Sequence, residues 1–267
     1  MTGTTYRTGL GTSDADSITV LGHSLADDLL GRVSFGELAF WLMAKHRPTP
    51  QQRNMFEAVL VALADHGFTP TAIAARVTLL SAPESIQGAL AAGLLGGGDR
   101  FLGVTENAAR FLQAALEGCD PLPTDASGWD DLATEVVART RAEGRFVPGL
   151  GHPVHKDGDP RTPALFGLAR DNDLFGPHLE LFAAIGRAHP AVLGRTLPLN
   201  GAGACGAVLG DVGLPLGVAR GVALLARCAG LLGHLAEELD DPIANDIYME
   251  VDRNIDYRPP AAVDPAG

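Results

Sequence analysis

In the stretch MFEAVLVALADHG (55–67), apolar Met55, Phe56, Val59, Leu60 and Leu63 recur at helical spacing, and Gly67 is a natural stop. The same periodicity predicts helices over roughly 105–117, 129–143, 162–171, 178–189 and 216–239. Helix-start chemistry accompanies several apolar runs. Ser34 with Glu37 has the capping-box spacing before LAFWLMAKH, and Ser81 with Glu84 has it before SIQGALAAGLL. Thr49-Pro50 and Thr69-Pro70 each set a capping hydroxyl before a proline suited to the first helical position. Alternation suited to a strand is almost absent, SITVL at 17–21 being the short exception. The pattern predicts an all-α protein.

Two shifts in composition divide the chain. Residues 118–128 (GCDPLPTDASG) read as a Pro/Gly/Ser-rich connection, 194–215 is a second glycine-rich stretch, and the tail RPPAAVDPAG is expected to fray. With 46% hydrophobic and 19% charged residues over 267 positions, the chain can bury a sizeable core. Its net charge of −12 argues against nucleic acid or an anionic membrane as the main partner, but not against a small anion in a local pocket. The N-terminus has no apolar signal region, and the run GVALLARCAGLLGHL (221–235) is broken by Arg227 and His234 and reads as too short to span a bilayer. Cys119, Cys205 and Cys228 lack metal-ligand spacing, so reduced thiols in a cytoplasmic protein are expected. No cluster that would hold a metal is evident.

The stretch VPGLGHPVHKDGDPRT (147–162) breaks the helical pattern, yet gathers His152, His155, Lys156 and Arg161 among glycines and prolines. A histidine in such a turn is ordinarily solvated. The clustering also suits anion binding. Glycines let backbone N–H groups approach a ligand, a helix beginning near Thr162 presents its positive end, a histidine such as His152 can move protons near neutral pH, and Arg161 can hold a carboxylate through two N–H groups. Spacing alone does not separate an acidic metabolite from a phosphorylated cofactor.

The pattern G-x-G-H-x-V-x-K followed by D-P-R resembles the signature loop of the citrate synthase superfamily. In the same order, ALADHG (62–67) resembles its substrate-histidine segment. LAAGLLGGGDRFLG (90–103) is similar to a segment of the citryl-CoA lyase module of ATP-citrate lyase, and LARCAGLLGHLAEE (225–238) to a late helix whose arginine grips a carboxylate. The resemblance implies an all-α, two-lobed fold working as a homodimer. Its large lobe would take 1–103 and 210–267, with a small lobe at 104–209 closing over a cleft to exclude water. The helices at 82–95 and 216–235 become candidate dimer faces.

For function, the resemblance implies that His66 and His152 act on the substrate oxygen, with His152 able to accept the hydroxyl proton. Arg161 and Arg227 would hold carboxylates. Coenzyme A, as a thioester substrate or product, would lie along Val147, Gly149, Leu150 and Gly151, with Lys156 near a phosphate. His155 has no family role and is expected to be solvated. Phe101 occupies the position at which synthases carry a histidine for forming the acetyl-CoA enol, and citryl-CoA lyase modules resemble this chain in having phenylalanine there. Phe101 is thus expected to line the substrate and to tilt the reaction toward cleavage. Two departures stand out: Pro153 where many relatives have arginine, and Ala202, in LNGAGACG (199–206), where the family has its catalytic aspartate. Loss of such an acid–base group commonly costs about 10²–10⁴ in rate, and Asp211, nine residues on, is expected to face elsewhere.

Three readings follow. The first is a citryl-CoA lyase-like enzyme cleaving citryl-CoA, or a related 3-hydroxyacyl-CoA, to acetyl-CoA and oxaloacetate. The second is a synthase condensing an acyl-CoA with a 2-oxo acid. The third is a catalytically impaired protein that binds CoA thioesters.

Overall fold

The computed structural model describes residues 4–260 and is dominated by helices. Among the described residues, three short strands (β1 Gly11–Ser13, β2 Ile18–Val20, β3 His23–Ser24) precede eleven α-helices in chain order. These are α1 Phe35–Ala44, α2 Pro50–Ala64, α3 Pro70–Ser81, α4 Ile86–Leu95, α5 Val104–Glu117, α6 Ala126–Ala142, α7 Arg161–Asp171, α8 Pro177–Leu193, α9 Gly201–Asp211, α10 Ala219–Asp240 and α11 Ala244–Arg253. A π-turn at Leu25–Leu29 and a 3₁₀ turn at Leu216–Val218 complete the elements. Most of the tail RPPAAVDPAG lies outside the described residues.

The strand expected at 17–21 is the middle one of an antiparallel three-stranded sheet, with Thr12 opposite Thr19 and Val20 opposite His23. Between β2 and β3 only Leu21 and Gly22 intervene, both with positive φ (52° and 83°), the geometry that matches a tight hairpin to strand twist.

Helix starts follow the sequence signals with two corrections. Thr49 and Thr69 cap α2 and α3 as expected, and Thr49 forms a complete reciprocal box with Gln52. Ser34 accepts the Glu37 N–H at 3.1 Å, but the Glu37 carboxylate turns to Arg47 at 2.6 Å instead of closing the box. Ser81 ends α3, and the cap of α4 is Ser85, which accepts from Gly88 at 3.3 Å. Likewise α2 stops at Ala64, where Asp65 turns extended, three residues before Gly67.

The glycine-rich stretch 194–215 contains α9, which periodicity did not reveal. Its glycines are places of contact: a Cβ on Gly203 would lie 2.6 Å from the Gly149 Cα, and one on Gly206 would lie 2.4 Å from the Thr105 carbonyl. Close packing against α5 and the 147–151 loop outweighs the low helix propensity of glycine. The short helix α11, polar on average but amphipathic, was also missed.

By packing, the chain divides into two compact units: residues up to Asp65 with Gly98–Arg227, and His66–Gly97 with the residues from Cys228 onward. All of 104–209 falls within the first. The core of the first unit gathers Phe40, Phe56, Leu112, Leu179, Phe182 and Leu209, all with no exposed surface. Removing each such side chain from water is worth about 1.5–3 kcal/mol. The second has a smaller core of Ala72, Ala75, Leu79, Ala89, Leu231 and Leu235. Helix α10 is longer than the apolar run suggested, and Leu216–Asp240 is long and apolar enough to cross a membrane by length and composition. Val222 and Ala223 belong to the first core and Leu231 and Leu235 to the second, so one face of the helix is buried, while only 33% of its apolar window is.

Candidate active site

The C-terminal end of α2 leaves carbonyl groups without helical partners and carries the negative end of the helix dipole. Two of the arginines singled out in the sequence meet there. Arg161, the first residue of α7, donates from Nη1 to the Ala62 carbonyl at 3.2 Å. Arg227, buried in α10, donates from Nε to the carbonyls of Leu63 (3.3 Å) and Ala64 (3.1 Å). ALADHG and the two arginine segments, far apart in sequence, therefore join at one helix end.

Asp159 fixes the first arginine. Its carboxylate accepts from Arg161 Nε at 3.0 Å and Nη2 at 2.7 Å, and from the Gly201 N–H at 2.7 Å. Burial works to raise the Asp159 pKa, but the Arg161 hydrogen bond, the Gly201 N–H and the guanidinium charge outweigh it and hold the carboxyl well below its ordinary range. Arg161 responds conversely: burial pulls its pKa down, and Asp159 more than compensates. Arg227 is different. Burial lowers its pKa, the Asp65 charge works against that, and the Arg161 charge lowers it further. The end of α2 thus gathers two guanidinium groups together with the carboxylates of Asp159 and Asp65 that act on them.

The 147–151 loop is pinned from the other side. Gly149 and Gly151 have φ of 88° and 83°, which side-chain-bearing residues avoid. The Gly149 carbonyl accepts the Asn200 N–H at 2.8 Å, and the Gly151 N–H donates to the Pro198 carbonyl at 2.7 Å. Asn200 Nδ2 donates to the Gly151 carbonyl at 2.8 Å. These bonds leave fewer main-chain groups for a ligand than the sequence suggests. Val147 is buried, Gly149 lies against Phe182, and Lys156 is exposed. Val147 and Leu150 also wall a cavity of about 270 Å³ that carries Arg141, Arg145 and Arg195.

His152 follows directly. Its Nδ1 accepts the backbone N–H groups of Val154 (3.1 Å) and His155 (3.0 Å), so the ring hydrogen of the neutral form sits on Nε2. With Nδ1 held by the main chain, the role expected of His152 toward a substrate oxygen falls to its other ring nitrogen, Nε2. His155 is half-buried and stacks on His152 with ring centroids 4.5 Å apart, rather than being solvated.

Ala202 is half-buried in the first turn of α9, between buried Gly201 and Gly203. Asp211 does face elsewhere. It accepts the N–H groups of Gly176, His178 and Leu179 at 2.9–3.1 Å at the start of α8, and its Oδ1 lies 2.9 Å from His178 Nδ1. Cys205, near Arg161, is fully buried, and its thiol is pushed up to about 12 by burial and Asp159, against the pull of Arg161, so it is no nucleophile. Phe101 is exposed in the turn after Gly98, whose carbonyl accepts the N–H groups of Phe101, Leu102 and Gly103. The first unit thus holds every singled-out residue except His66, which opens the second.

A family model described as "Citrate synthase, C-terminal domain" matches residues 18–248. The chain belongs to the citrate synthase family. Among solved structures of the family's fold, it is similar to citryl-CoA lyase from Hydrogenobacter thermophilus, with 28% identity, a TM-score of 0.84 and 97% of each chain covered. It is also similar to ATP citrate lyase from Methanothrix soehngenii, solved with citrate and coenzyme A. There the identity is 25% and the TM-score 0.80, over 98% of this chain and 43% of that one. A curated relative, the probable ATP-citrate synthase of Caenorhabditis elegans, is 23% identical over 87% of this chain and 22% of its own length. The chain therefore spans only about a fifth to a third of the curated relatives first matched. The citrate-synthase-like helical fold is shared throughout.

Sequence reasoning missed Asp159 and Asn200 as parts of this arrangement, although both stand inside quoted motifs, D-P-R and L-N-G. An acidic residue two positions before an arginine, and an asparagine before a glycine-rich helix, were the available signals.

Proposed function

We propose that this chain is a citryl-CoA lyase-like enzyme that cleaves citryl-CoA, or a close 3-hydroxyacyl-CoA, to acetyl-CoA and oxaloacetate. The observation that carries the reading is the meeting of Arg161 and Arg227 at the end of α2. Such a pair suits a substrate bearing several carboxylates, and holding them fixes orientation before reaction. The end-to-end likeness to a citryl-CoA lyase favours cleavage over condensation, as does Phe101, which has no proton to move.

In the reaction, the bond between the hydroxyl-bearing carbon and the CH₂ next to the thioester breaks. Its electron pair passes to that CH₂ carbon as an enolate, and the hydroxyl loses its proton to become the keto group of oxaloacetate. His152 contributes as a donor: Nε2–H bonds the substrate oxygen and orients it, while solvent takes the proton. His66 is assigned to the same oxygen by the family resemblance. Arg161 and Arg227 hold carboxylates against the spreading negative charge. The enolate is then protonated by water, because Asp159 is committed to Arg161 and Gly201, and Asp211 to α8. Coenzyme A lies along 147–151, with phosphates drawn to Lys156 and to the arginine-lined cavity. The proposal includes a cytoplasmic homodimer.

A second reading, a binding protein for CoA thioesters with little turnover, is favoured by Ala202 and by the commitment of Asp159 to Arg161 and of Asp211 to α8. Oxaloacetate release from citryl-CoA, followed by NADH-coupled reduction beside a His152→Ala control, separates them. The lyase reading expects turnover that falls in the control. Tight CoA thioester binding with no oxaloacetate over hours gives the second reading.

A further inference from the structure

The residues 196–200 lie between α8 and α9, and several of their polar groups hold neighbouring elements. Leu199 pairs with Leu150 in an isolated antiparallel bridge. The Pro198 carbonyl takes the Gly151 N–H, and Asn200 bonds both Gly149 and Gly151 through its main chain and side chain. The Leu199 carbonyl accepts the Thr162 hydroxyl at 3.1 Å, while Asn200 Oδ1 caps α9 by accepting the Gly203 N–H at 2.8 Å. This segment is thus the strap on which the 147–151 loop rests.

One residue outside the segment anchors it to the core. His189, on α8, is only 1% exposed. Its Nε2 accepts the Leu197 N–H at 2.9 Å, and its Nδ1 lies 2.9 Å from the Ile185 carbonyl one turn back. A backbone N–H can only donate and a carbonyl can only accept, so both contacts are satisfied by one species alone: the neutral ring with its hydrogen on Nδ1. Aspartate or lysine could not satisfy this donor–acceptor pair. A buried N–H at Leu197 without an acceptor is costly, so the ring holds the strap at one height relative to α8. Gly186, one turn earlier, lets the strap approach: a Cβ there would lie 2.7 Å from Leu199 Cδ1.

We propose that His189 is a positioning residue for CoA-thioester binding, setting the 147–151 loop through its hold on the Leu197 N–H and the 197–200 strap. The loop's role toward CoA rests on the function proposed above; the hold on the strap does not. Two near-isosteric changes separate the two ends of the ring. In His189→Gln the side-chain oxygen reaches the Nε2 position and keeps the acceptor for Leu197. In His189→Asn the amide reaches only the Nδ1 position, keeps the bond to Ile185 and loses the acceptor.

The test is CoA affinity and citryl-CoA kinetics in both full-length variants, with hydrogen exchange read at the Leu197 and Gly151 amides. The expected result for His189→Asn is a CoA Kd and a citryl-CoA KM about tenfold higher, with kcat within about twofold. Exchange at both amides should be correspondingly faster, and His189→Gln should be close to wild type in every readout. Wild-type affinity and exchange in His189→Asn would overturn the proposal, as would equal impairment of both variants, which would make His189 a packing residue only. If His189→Asn does not fold, His189→Gln decides: a tenfold loss of CoA affinity in that variant also overturns it. Failure of wild-type protein to bind CoA would instead overturn the proposed function, while exchange at Leu197 would still decide whether His189 holds the strap.

Discussion

Arg76 and Arg227 are both buried arginines on helices, but the protein surrounds their charges differently. Arg76, on α3 in the second unit, has no exposed surface and is met by two carboxylates: Glu238 at 2.8 Å and Glu237, with His234 Nδ1 at 3.3 Å from Nε and the Phe68 ring 5.1 Å away. Glu238, itself buried, also accepts the Ile243 and Ala244 N–H groups, which fastens α11. Burial works to raise the Glu238 pKa, but Arg76 and these two N–H groups together bring it down. Arg227, in the first unit, has Nε on the carbonyls of α2 and feels two opposed charges, the Asp65 carboxylate and the Arg161 guanidinium. A charge matched on the spot by carboxylates ties elements together. A charge set at a helix end, where Asp65 offsets a second guanidinium, is the setting that the proposed function gives to the substrate's carboxylates. Burial of an arginine alone does not distinguish these roles; the company it keeps does.

The largest effect that could break this contrast is on Arg76. Replacing it with alanine leaves the carboxylate of Glu238 buried without its partner and should cost about 3–5 kcal/mol in denaturant unfolding. Citryl-CoA turnover per folded molecule should stay unchanged. Conversely, Arg227→Met and Arg161→Met should each lower cleavage by about 10²–10³-fold, a loss comparable to removing one charge-stabilising donor from an active site. A turnover defect in the Arg76 variant as deep as in these two would erase the distinction.

Asp159 sharpens the comparison through pH. Its folded-state pKa is lowered, so its stabilisation is complete above the ordinary carboxylate pKa near 4 and is lost as pH falls below it toward the folded-state value. The gap in unfolding free energy between wild type and Asp159→Asn should therefore be about 2–3 kcal/mol at pH 7 and shrink between pH 4 and pH 2. A gap that grows on acidification would contradict the ion pair. Next in size, Gly203→Ala forces a methyl group against Gly149 and Phe182, and should cost about 1–3 kcal/mol in thermal unfolding, together with weaker CoA binding. The smallest effect is chemical: Cys205, with its thiol pushed up to about 12, should resist alkylation at pH 8 in the folded protein and react only on unfolding.

What the sequence disclosed follows from where the information is local. Helices with an amphipathic stripe or a Thr-Pro start, such as α2 and α3, were legible because cap and periodicity lie within a few residues. The start of α4 was displaced because Ser81 and Ser85 are both plausible caps, and only the packing of α3 ends one helix at the first and begins the next after the second. Helix α9 was illegible because its glycines report contacts with residues about 20 to 100 positions away, which no local pattern contains. At the candidate site, motif order singled out Arg161, Arg227 and His152. The partner that fixes Arg161, the tautomer of His152 and the commitment of Asp211 to α8 depend on hydrogen bonds that only the folded backbone brings together.

The most direct test of the central claim is oxaloacetate release from citryl-CoA by wild type, Arg227→Met and Arg76→Ala, each normalised to folded protein. The account predicts turnover in wild type, its loss in Arg227→Met and its retention in Arg76→Ala. Unchanged cleavage in Arg227→Met would contradict the claim that the end of α2 grips the substrate.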